Sequence, residues 1–95
     1  MKKPYIYVDF NEMVEQNLVL LSQEDTKVDS TGKLVSLYQG LEIVIYMDDL
    51  DESGSKDNLI AEGVVEKNIH EDWSAHVKWC CRIDRCGIQH ESDKN

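Results

Sequence analysis

The chain has 95 residues, with 19 acidic against 10 basic side chains and a net charge of −9, which disfavours phosphate backbones and anionic lipid surfaces as partners. Its length fits one domain that buries roughly 60–65% of the surface its unfolded form exposes, with no second lobe. Three cysteines, Cys80, Cys81 and Cys86, are an odd number gathered towards one end. They do not make the paired framework of a small secreted domain, so reduced thiols are expected.

Met1-Lys2-Lys3 runs into Pro4 with no leader-like apolar stretch behind it, and no run approaches bilayer length. A cytoplasmic protein that meets no membrane is expected. The first strand is Tyr5 to Phe10, rich in β-branched and aromatic residues, with Ile6, Val8 and Phe10 on one side of the pleat. Leu18 to Leu21 is most simply a second strand. Ser22 and Asp25 resemble a helix start and Gly32 a helix stop, so residues 23–31 are read as one short helix, with an ordered loop as the alternative.

From Leu41 the pattern sharpens. Leu41, Ile43, Ile45 and Met47 fall on one face, and Glu42, Val44, Tyr46 and Asp48 on the other. A polar connection over residues 48–58 leads to Leu59, Ala61 and Val65, with Gly63 among them as the mark of a bulge or bend. The last alternation sets Trp73, Ala75, Val77, Trp79 and Cys81 against Ser74, His76, Lys78, Cys80 and Arg82. It predicts that Trp73, Val77 and Trp79 point inward together while His76 and Lys78 face out. The fold class implied is mainly β: a small antiparallel barrel-like sheet of about five strands with one short helix, closed to protect its edges. Residues 1–87 form the single β-rich domain, and the polar residues 88–95 are expected to fray.

Tyr7-Val8-Asp9-Phe10-Asn11, Gly40 to Tyr46 and Ala61 to Glu66 together resemble a family of small acidic β-rich bacterial proteins of unassigned function, over residues 5–79. More distantly, the strands around Gly40 and Gly63 resemble those of SH3-like barrels. The resemblance brings no catalytic residues, and an acidic aromatic groove for proline-rich ligands is not identifiable.

Charge is unevenly placed: residues 42–72 hold ten acids and two bases, a net −8, whereas residues 1–41 carry −2 and residues 73–95 carry +1. An acidic face is therefore expected. Within it, Asp49, Asp51, Ser53 and Asp57 occupy positions 1, 3, 5 and 9 of a calcium loop, with Gly54 at position 6. Position 12 is Ile60 where a bidentate glutamate belongs, position 8 is Lys56, and the flanks are strands. An acidic hairpin loop that keeps a sheet in solution accounts for the same residues.

Zinc has candidates in His76, Cys80, Cys81, Cys86 and His90. On an extended strand His76 and Cys80 are about 13 Å apart, and Cys80 and Cys81 point to opposite faces. Cys81, Cys86 and His90 survive as three ligands without a fourth, and ordinary thiol packing is the simpler reading. Cys80 beside Lys78 and His76 is read as part of an outward strand face rather than as a nucleophile. Both tryptophans are read as core volume, and Tyr5, Tyr7 and Tyr46 are left open between core and binding surface.

The sequence does not determine a function. Its best reading is a small non-enzymatic binding or regulatory protein with no cofactor, recognising a basic protein surface rather than nucleic acid. Asp49, Asp51, Glu52, Asp57 and Tyr46 are its partner-binding candidates. A weak calcium-binding loop protein and an unrecognised enzyme are the alternatives.

Overall fold

Alternation in the stretch after the acidic loop is strong enough to make it the centre of a sheet. The computed structural model describes residues 3–50, 52–69 and 76–91, so the expectations for Asp51, for Trp73 to Ala75 and for residues 92–95 lie outside the described residues. In chain order the strands are β1 (Tyr5–Tyr7), β2 (Met13–Glu15), β3 (Leu18–Ser22), β4 (Thr26–Val28), β5 (Leu34–Ser36), β6 (Glu42–Met47), β7 (Leu59–Lys67), β8 (Trp79–Ile83) and β9 (Gln89–His90). Seven of them make one sheet in the order β1-β6-β7-β8-β3-β2, with β9 also paired to β7, while β4 and β5 make a separate two-stranded sheet.

The fold is mainly β, as the alternating runs imply, but three features of the expected architecture are corrected. The sheet is mixed, because β1 lies parallel to β6 with Ile6 opposite Ile45. A parallel pair needs a long crossover, and residues 8–41 supply it by carrying β2 to β5 between the two strands. The sheet is open and not a closed barrel, with β1 and β2 at its two edges.

The short helix over residues 23–31 is absent. Ser22 Oγ accepts the Glu24 amide at 3.1 Å, so the serine closes a turn, the competing use of such side chains. Thr26 to Val28 then pairs antiparallel with Leu34 to Ser36. Asp29 Oδ1 accepts the amides of Thr31 at 2.9 Å and Lys33 at 3.0 Å, and Gly32 adopts φ +87° at the tip. What reads as a helix stop is a hairpin glycine.

The main core gathers Ile6, Val8, Phe10, Val19, Leu21, Leu37, Ile43, Ile45, Ala61, Val65, Cys81 and Ile83 on one face of the sheet. A smaller cluster of Leu18, Leu20, Val77 and Cys80 lies apart from it. The register between β3 and β8 shifts between Leu20 and Ser22, and apolar clusters cover both faces of β8, which changes the outcome for the last strand. Val77 is buried in the smaller cluster, whereas half-buried Trp79 packs against the main core. His76 and Lys78 are exposed, but Cys80, read as outward, is fully buried. Gln89 and His90 pair with Ile60 and Leu59, and Glu91 N donates to Asn58 O at 2.7 Å, so the chain beyond Gly87 is tied down at least to Glu91.

Gly63 marks no bulge: it pairs in register with Ile43 on one side and Ile83 on the other. A Cβ built there would sit 2.5 Å from both Arg82 O and Cys81 Sγ. The missing side chain lets β8 approach β7 closely, the second use of a strand glycine. Replacing Gly63 by Ala should destabilise the fold by about 1–3 kcal/mol, since backbone must yield; a urea midpoint equal to that of the parent would contradict this.

Candidate partner-binding surface

The face of the sheet opposite the main core carries the aromatic and acidic side chains. Register places Tyr7 opposite Tyr46, Tyr46 opposite Ile60 and Ile60 opposite Gln89, one row across four strands. Tyr7 and Tyr46 meet edge to face, with ring centroids 5.5 Å apart and planes at 84°, the arrangement that ring quadrupoles favour. Tyr5 and Tyr7 are 41% and 45% exposed, and Tyr46 is half-buried. The tyrosines left open by the sequence are thus surface groups, two of them in contact.

Tyr46 leads directly into the acidic hairpin. Asp57 N donates to Asp49 O at 3.0 Å, Leu50 bridges antiparallel to Lys56, and Gly54 turns the tip at φ +85°. Ser53 and Ser55 hydroxyls bond each other at 3.3 Å, and Asp49 Oδ2 lies 3.0 Å from His90 Nε2. Among the described residues no three His, Cys, Asp or Glu side chains are grouped to hold a metal ion. The zinc candidates are separated likewise: Cys81 is buried in the core, Cys86 is exposed and His90 faces Asp49.

Part of the acidic stretch over residues 42–72 is neutralised on the sheet. Glu62 pairs with Lys3 at 3.1 Å and Glu66 with Arg82 at 2.8 Å, so these two strand carboxylates are matched by cations. Among the candidates from sequence, Asp49, Glu52, Asp57 and Tyr46 share the hairpin and its root. Asp48 stands 3.7 Å from Lys56, with both side chains about two-thirds exposed. The sequence reading missed Leu50, an apolar side chain 63% exposed among these carboxylates. Its signal was available, since a leucine flanked by Asp49 and Asp51 has no alternating partners.

No protein-family model matches the chain, and no curated protein or solved structure does so at a significant level. Function therefore rests on the site's own chemistry.

Two electrostatic consequences can be measured. The hydrogen bond from His90, helped by the Leu50 amide, holds the Asp49 carboxyl below the ordinary aspartate range. A depressed carboxylate contributes stability above its unfolded pKa and loses it as pH falls through the folded value. His90→Gln should move the Asp49 pKa upward in a carboxyl NMR titration; an unmoved value would show that His90 is not the cause.

Burial pushes the Cys80 thiol up to about 11 and the Cys81 thiol up to about 12, so neither supplies thiolate near neutral pH. Cys80 is therefore no reactive surface nucleophile. An aromatic disulfide reagent at pH 8 should titrate one thiol of three in the native chain, Cys86, and all three in denaturant. Rapid native modification of two or three would contradict the burial.

Proposed function

We propose that this chain is a small acidic, non-enzymatic binding protein of the cytoplasm, and that the Tyr7–Tyr46 pair with the adjoining hairpin engages a basic protein surface. The observation that supports this reading is the edge-to-face tyrosine pair at the root of the hairpin that bears Asp48, Asp49, Glu52 and Asp57. An arginine that reaches a tyrosine face gains about 0.5–1 kcal/mol at an exposed site. Carboxylates within a Debye length of roughly 8 Å at physiological salt add steering and selectivity. Leu50 supplies an apolar contact between them. A folded domain needs no such combination for solubility, because mixed charges serve that purpose without self-repulsion.

The test is capture from a lysate by the immobilised chain under a graded salt wash. Tyr46→Ala should lower recovery of basic proteins about two- to fivefold, by the loss of about 0.5–1 kcal/mol. Joint replacement of Asp49, Asp51, Glu52 and Asp57 by their amides should flatten the salt dependence while changing stability by less than about 1 kcal/mol, the ceiling for exposed pairs. Identical capture by the parent and the fourfold variant at every salt concentration would refute the proposal.

A further inference from the structure

The outer edge of β1 is open. Val44 N donates to Pro4 O at 2.9 Å and Val8 N to Tyr46 O at 2.9 Å, which fixes the backbone groups of Pro4, Ile6 and Val8 on the β6 side. By alternation, the amide and carbonyl groups of Tyr5 and Tyr7 point away from the sheet. Ser30 N, at the tip of the β4–β5 hairpin, donates to Tyr5 O at 2.8 Å and covers one end of this edge. Neither backbone group of Tyr7 has a hydrogen-bond partner among the described residues.

Tyr7 and Asp9 form one wall of an open cleft of about 520 Å³. Three carboxylates, Asp9, Glu12 and Glu24, line it against one lysine, Lys27, and one histidine, His76. That lysine is turned to the protein, donating to Leu21 O at 2.6 Å, and its burial pushes its pKa below the usual lysine value. The cleft thus offers a carboxylate-rich lining beside an unpaired donor and acceptor on a strand edge.

We infer that an extended basic peptide segment adds to β1 in this cleft. Its backbone pairs with the Tyr7 amide and carbonyl, and its lysine or arginine side chains meet Asp9, Glu12 and Glu24. Strand addition draws affinity from main-chain hydrogen bonds and selectivity from the side chains that alternate along the added strand. A second copy of the chain is the poorer occupant, because two molecules of net charge −9 repel each other. The inference stands on the β1 edge and its cleft, independently of the tyrosine and hairpin surface.

The test uses the full-length chain labelled with nitrogen-15 and an acetylated, amidated hexapeptide of alternating lysine and valine. Binding should be saturable, and amide exchange at Tyr7 should slow at least tenfold while that at Ile45 is unchanged. The corresponding glutamate and valine peptide should have no effect. Tyr7→Pro removes an N–H that serves no sheet bond, a change edge strands tolerate, and should cost at least tenfold in affinity. Tyr7→Ala loses the ring but keeps the N–H, so the affinity lost by Tyr7→Pro should exceed that lost by Tyr7→Ala at least threefold. Absence of binding, or binding without protection at Tyr7, overturns the inference. Protection at Tyr7 that rises with protein concentration in the absence of peptide assigns the edge to a second copy and overturns it as well. Failure of the hairpin reading appears separately, as lysate capture unchanged by the fourfold amide variant.

Discussion

Close contact between β7 and β8 at Gly63 is the constraint from which the rest of the architecture follows. β7 is paired on both edges, with β6 on one side and with β9 and then β8 on the other. Because Gly63 has no Cβ, the Arg82 carbonyl and the Cys81 sulfur occupy the space a side chain would take. Cys81 then joins the main core and Cys80 the smaller cluster on the opposite side. One strand seals both layers, and that is why neither thiol reaches solvent.

The same central strand sorts the charge. Its core face presents Ala61 and Val65, and its other face presents Glu62 and Glu66 to Lys3 and Arg82 on flanking segments. Exposed pairs of this kind contribute little to stability, but they neutralise the sheet locally. Negative charge that strand cations leave unmatched gathers in the hairpin beyond Met47 and in the cleft beside β1. Both lie next to Tyr7, whose ring meets Tyr46 on the outer face and which also lines the cleft.

Legibility in the sequence followed periodicity. β6 and β7 alternate cleanly, and their faces were readable: Ile43, Ile45, Ala61 and Val65 are core, as the pattern requires. The parallel pairing of β1 with β6 was not readable, because partner choice between strands depends on the crossover and leaves no local signature. Ser22, Asp25 and Gly32 failed for another reason. The same residue types cap helices and close turns, and the β-branched Thr26 and Val28 favoured the hairpin. Cys80 does point away from the main core, as the alternation requires, but it was misassigned to solvent because Leu18, Leu20 and Val77 cover that face, and a period-two count does not show what lies over a face. Of the candidate surface, the acidic loop and Tyr46 were legible, whereas the Tyr7 contact is made across 39 residues of chain and Leu50 was passed over as a loop residue.

The proposed partner surface is one face of a small sheet on which aromatic and acidic groups meet a cationic partner. Chemical-shift mapping of the labelled chain with hexa-arginine, at low and physiological salt, tests this most directly. Changes should centre on Tyr46, Leu50 and Asp57 and shrink as salt rises. Equal changes at Glu15, Glu66 and Asp84, spread wherever an acid is found, would contradict it.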